Sequence, residues 1–134
     1  CFRMPGGVTH SAWQVGHLAM AEYRLCLERV RGPRAEDEAT IPLTFLEAFR
    51  RGSVPVTNPA DSPTVEEIRS TFDRKRTIAE LAMVPDSILD EPLDDPQPVC
   101  RTKGESFSWC ARHEMIHAGQ IALLRRLIGS TPVW

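Results

Sequence analysis

The sequence predicts an all-α protein, and three observations carry that prediction. Two long stretches, 12–31 and 103–128, repeat apolar residues at helical spacing. Each opens on a capping signal and closes on glycine. The 11 prolines fall outside the helical stretches or at a first helical position. At 134 residues the chain suits a single domain around one core.

The first helix is predicted over 12–31. Ser11 and Gln14 read as a capping box with Ser11 as N-cap, and Gly32 followed by Pro33 supplies the stop. A polar stretch, 34–40, leads to a short helix over 43–51, ended by Gly52. A loop with Pro55 and Pro59 follows. Ser62 then caps a helix that starts at Pro63 and runs to Met83, with Val65, Ile68, Phe72, Ile78, Ala79 and Ala82 on its inner face and Pro85 as its stop. Residues 85–103 form a long connection in which Pro92, Pro96 and Pro98 lie among Asp90, Glu91, Asp94 and Asp95. The acidic spacing matches no calcium loop and reads as solvated surface. Thr102 and Glu105 form a second capping box. The last helix runs to Ile128 before Gly129, with Phe107, Cys110, His113, His117, Gln120, Ile121 and Leu124 as its inner stripe.

That helix holds the most informative pattern of the chain. His113 and His117 are four residues apart, so a helix sets both imidazoles on one face, and Glu114 between them completes H-E-x-x-H. In zinc proteases this pattern supplies two ligands and a general base, with a third ligand downstream. Here the tail after His117 has no Asp, Glu, His or Cys, and Gln120 and Leu123 stand where the extended motif requires Gly and His. A third ligand, if the site has one, lies upstream. His17 sits in the first helix on a face shared with Trp13, Met20, Ala21 and Arg24, whereas His10 precedes the cap and reads as a loop residue. One histidine of an early helix is therefore expected to meet two of a late helix across the core. Glu114 is expected either beside a metal-bound water as a base or facing solvent. Gln120 would orient a bound water or a ligand histidine, or simply close a helix contact. Trp13 and Trp109 read as core anchors.

The run Ser11-Ala-Trp-Gln-Val-Gly-His17-Leu-Ala, followed by His113-Glu-Met-Ile-His117-Ala-Gly-Gln120-Ile-Ala-Leu-Leu-Arg-Arg-Leu-Ile-Gly129, resembles the DinB/YfiT-like superfamily of metal-binding helical bundles. The resemblance covers about 8–133. It implies an up-down-down-up four-helix bundle in which one histidine of the second helix and two of the last bind a divalent metal, here His17, His113 and His117. It also implies thiol S-transferase or related chemistry on a small molecule, with a low-molecular-weight thiol as cosubstrate. Set against the family pattern, the chain is expected to lack the first helix, having only nine residues before Ser11's neighbour His10 is passed. An apolar groove would then be left for a missing segment or a second copy, so a homodimer is the expected state.

With 16 Lys plus Arg against 18 Asp plus Glu, nothing electrostatic points to nucleic acid. No apolar run reaches the roughly 20 residues of a membrane span, so a cytoplasmic location is expected. Cys1, Cys26, Cys100 and Cys110 are irregularly spaced and are expected as free thiols, Cys110 as a small buried hydrophobe rather than a fourth ligand. Histidine-only ligation suits Zn, Ni, Fe or Cu. The sequence thus points to a metal-dependent transferase or hydrolase. A non-catalytic metal-binding or interaction module is the alternative, and an H-E-x-x-H zinc protease a weaker one.

Overall fold

The computed structural model describes residues 2–131. The chain is mainly helical. Helix α1 begins as Ser11–Glu22, passes through a π-helical stretch, Tyr23–Glu28, and closes with Arg29–Arg31. It is followed by α2 (Leu43–Phe49), α3 (Val65–Thr71), α4 (Arg74–Leu81), a hairpin of β1 (Pro92–Gln97) and β2 (Cys100–Thr102), and α5 (Lys103–Leu127). The predicted all-α class holds, with this one small sheet added. Among the described residues ahead of α1 there is one 3-10 turn, Pro5–Gly7.

Helix α1 is the central element, buried along most of its length from Ala12 to Val30. Its partner α5 runs antiparallel to it. His117 meets Gln14 near the start of α1, whereas Ser106 Oγ donates to the Leu25 carbonyl (3.0 Å) near its end. The α3–α4 pair runs in the same direction as α1. Val65 and Ile68 lie beside Ala12 and Val15, Thr77 donates to Glu22, and Glu80 meets Arg31. Down, down and up are thus the directions of the three long layers. Leu27, Phe49, Ile68 and Val30 fill the core between them.

The first helix starts one residue earlier than predicted, and its cap differs. His10, 1% exposed, is the N-cap: its Nδ1 accepts from the Trp13 N–H (3.0 Å) while Nε2–H donates to the Val56 carbonyl (2.9 Å). An imidazole satisfies two otherwise orphaned backbone groups here, where the Ser11 hydroxyl would satisfy one. His10 is therefore a structural residue. Gln14, released from capping, turns inward. At the other end Gly32 adopts φ +86°, which stops the helix as predicted. Arg31, its side chain 2% exposed, is held there by the Gly32 carbonyl, Asp37 (2.7 Å) and Glu80 (2.6 Å), and the Tyr23 hydroxyl also donates to Asp37. Burial pushes the Asp37 carboxyl up, but Arg31, the Arg34 N–H and the Tyr23 hydroxyl outweigh it and hold the group below its ordinary value.

Two further expectations are corrected. The single helix predicted from Ser62 to Met83 is two helices. Thr64, not Ser62, caps α3 in a capping box with Glu67. The chain then breaks at Phe72 (ψ 62°), and Asp73 caps α4 by accepting from the Lys75 N–H at 3.0 Å. The break re-phases the second half, so Thr77 and Leu81 face inward while Ile78, Ala79 and Ala82 face out. Second, the proline-rich connection contains the β1–β2 hairpin, with Pro92 opposite Thr102 and Gln97 opposite Cys100. Leu93 and Cys100 are buried under it, and Asp94 and Asp95 are exposed, as the surface reading required. At the start of α5, Thr102 caps by accepting from Glu105 N–H, but the Glu105 carboxylate returns to Arg101 N–H. The helix ends at Ile128 and Gly129 as predicted.

Cys26, Cys100 and Cys110 are buried free thiols; Cys1 lies outside the described residues. On α5, Met115, Ile116, Leu123 and Leu127 stand exposed beside Gly119 and Ala122, an uncovered apolar stripe. Among the described residues no helix is long and apolar enough to cross a membrane.

Candidate metal centre

The three histidines singled out by spacing come together. His17 from α1 and His113 and His117 from α5 each offer a ring nitrogen, and these atoms lie within 4.8 Å of one another. His113 Nε2 and His117 Nε2 are 3.1 Å apart. Four-residue spacing on α5 aims both rings at α1, and the antiparallel packing brings His17 to the same level. His17 and His117 are buried and His113 is partly exposed.

Hydrogen bonds set the rings. His17 Nδ1–H donates to the Phe49 carbonyl at 2.7 Å, an acceptor supplied by the last residue of α2. The His17 ring also stacks on Trp13 one turn earlier, with centroids 4.9 Å apart and planes 13° from parallel. Trp13 Nε1 in turn donates to Ser53 Oγ (3.1 Å), which donates to the Ala48 carbonyl (2.8 Å). His117 Nδ1–H donates to Gln14 Oε1. Both His17 and His117 are thereby fixed with Nε2 as the lone-pair nitrogen. His113 Nδ1 is buried without a hydrogen-bond partner.

This donor set fits a divalent ion. Nitrogens bound to one zinc at about 2.0–2.1 Å lie about 3.3 Å apart, close to the observed 3.1 Å pair. Three neutral imidazoles suit such an ion, and the site favours neutrality. Burial, reinforced by the neighbouring imidazoles, pushes His113 and His117 down to about 4. Burial also lowers His17, opposed by the Phe49 carbonyl. Unfolding exposes these rings to protonation at the ordinary value near 6.5. The unfolded chain therefore binds more protons than the folded one between about pH 6.5 and about 4, and stability is lost as pH falls through that window. Thermal melting of metal-free protein should show this decline. A melting temperature unchanged over the window would contradict it.

The remaining candidates lie elsewhere. Glu114 is one residue round the helix from His113, and its carboxylate accepts from Arg74 of α4. It is paired and only partly exposed, so it does not project freely into solvent as one of the two expectations had it. It borders an apolar cavity of about 230 Å³ shared with Glu22, Cys26, Thr77, Phe107 and Cys110. Gln120 is exposed, and among the described residues it makes no hydrogen bond to the histidines. Cys110 is buried in the core and is not part of the histidine cluster. The residue that spacing missed is Gln14. The available signal was its position three residues before His17, on the same face of α1.

A helical bundle whose first and last long helices present three histidines at one point is the class that fold and site define. Its family is shown by the sequence match: residues 1–121 fit the family model of the DinB superfamily, and the chain belongs to that superfamily. No curated protein and no solved structure matches it.

Proposed function

We propose that the chain is a metal-dependent enzyme acting on a small molecule, by thiol S-transfer or by hydrolysis, at the centre formed by His17, His113 and His117. The observation that carries this reading is the convergence of three imidazole nitrogens within 4.8 Å in a largely buried, low-charge setting. Three protein ligands leave a coordination position open, the layout of a catalytic rather than a structural site. A divalent ion bound there would lower the pKa of a water or a thiol placed in the open position. Zn, Ni and Fe all suit these ligands. The protein's own part is to hold the three rings neutral, to fix two of them through the Phe49 carbonyl and Gln14, and to shield the site with the Trp13 ring.

The pairing of Glu114 with Arg74 favours small-molecule chemistry over a protease, because it occupies the carboxylate that a protease would use as base. The test is to load the purified protein with zinc, nickel or ferrous iron and offer a low-molecular-weight thiol with small electrophiles, small esters, and casein. Metal-dependent turnover of the small substrates with casein intact is the expected result. Stoichiometric metal binding without turnover would leave the non-catalytic module instead. Chelator-sensitive casein cleavage lost in Glu114→Gln would restore the protease.

A further inference from the structure

The three imidazoles of the centre are not supported alike. His117 is tied through Gln14, and Gln14 is tied in turn: its Nε2 donates to Thr9 Oγ1 at 3.3 Å, which fixes the amide with its oxygen toward the histidine. Gln14 is 3% exposed, so water does not compete for these bonds. His17 has the Phe49 carbonyl. His113 has no such partner. Its Nδ1 is enclosed and unpaired, so the tautomer that presents Nε2 to a metal leaves an N–H without an acceptor. Of the three residues it is also the most exposed.

We infer that Gln14, backed by Thr9, is the positioning residue that fixes His117 as a ligand, and that His113 is the weakest of the three ligands. The inference rests on the metal reading above and deepens it. An acceptor at Nδ1 raises the donor strength of Nε2 and removes the cost of orienting the ring. His17 and His117 have both advantages. His113 has neither, so it would be the least firmly held of the three ligands to an ion bound there.

The same reasoning gives a graded result in zinc titrations against a chromogenic chelator. Gln14→Ala should lower affinity about 10- to 100-fold, the range for loss of a supporting hydrogen bond to a ligand histidine. Gln14→Glu keeps the length and supplies a stronger acceptor, and the Thr9 hydroxyl can rotate to donate to it, so affinity should return to at least the wild-type level. His113→Ala should cost less than His17→Ala or His117→Ala. Nitrogen-15 NMR of the metal-free wild type reads the tautomers directly: His17 and His117 should be Nδ1–H, and His113 should be Nε2–H, donating to the His117 Nε2 3.1 Å away. An unchanged affinity in Gln14→Ala, a His113→Ala loss equal to the others, or a His117 found as Nε2–H would overturn the inference. If Gln14→Ala does not fold, the wild-type tautomers decide the point alone. A wild type that takes up no zinc would refute the proposed function and the ranking of ligands, while the His117 tautomer would still decide whether Gln14 positions that ring.

Discussion

His17→Ala and His117→Ala will each weaken metal binding by on the order of a thousandfold or more, well beyond the roughly 10- to 100-fold expected when only a supporting hydrogen bond is lost. The reason is geometric. Each ring is the sole contributor from its position, each is buried, and each has a preset Nε2. Removing either leaves two imidazoles, and no other His, Cys, Asp or Glu among the described residues completes the cluster. Folding should survive better in His117→Ala. Each loss leaves a buried acceptor unpaired, the Phe49 carbonyl or Gln14 Oε1, at about 1–3 kcal/mol, but only His17 also supports the Trp13 ring. Competition titration with a colorimetric chelator, alongside thermal melting, separates the two effects. Near-wild-type affinity in His17→Ala would remove α1 from the site.

Gly16→Ala will destabilise the protein although alanine is the better helix former by about 1 kcal/mol. A Cβ at position 16 would lie 2.3 Å from a ring carbon of Phe49 and 2.5 Å from two more. Phe49 has no room to retreat: it is 2% exposed and packed against Phe45 with centroids 4.6 Å apart. Overpacking of this kind costs about 1–3 kcal/mol, and an overlap this deep belongs at or above the upper end, so the clash outweighs the propensity gain and leaves about 2 kcal/mol of net destabilisation. The damage reaches the site. Moving Phe49 moves the carbonyl that holds His17, so metal affinity should fall as well. Denaturant unfolding and zinc titration of the variant check both halves. An alanine variant as stable as the wild type, with unchanged affinity, would mean that the α1–α2 contact is looser than described.

The parts legible in the sequence were those set by local periodicity. His113 and His117 share a face because four residues make about one turn, and His17 could be placed because its helix has a start and a stop that read clearly. What escaped depends on side chains that choose between local and distant partners. Gln14 fits a capping box as well as it fits a core ligand support, and only packing against α5 decides for the latter. His10 takes the cap because Val56, 46 residues away, accepts from its other nitrogen. The break at Phe72 has no Gly or Pro to announce it, and the one signal is Asp73, a good N-cap inside what otherwise reads as a continuous helix. The hairpin was hidden by Pro92 and Pro96, which a two-stranded sheet tolerates because each strand has a free edge. Glu114 sits about 100° round the helix from His113, so its divergence from the histidines could be anticipated, whereas Arg74, 40 residues back, could not.

The most direct measurement is the metal content of the chain purified without chelators and without a nickel column, followed by titration with zinc while the histidine ring signals are recorded by NMR. About one divalent ion per chain is expected, with the rings of His17, His113 and His117 shifting together at that stoichiometry and those of His10 left in place. A protein that carries no ion, takes up none on titration, and shows no coordinated shift of the three rings would contradict a metal centre between α1 and α5.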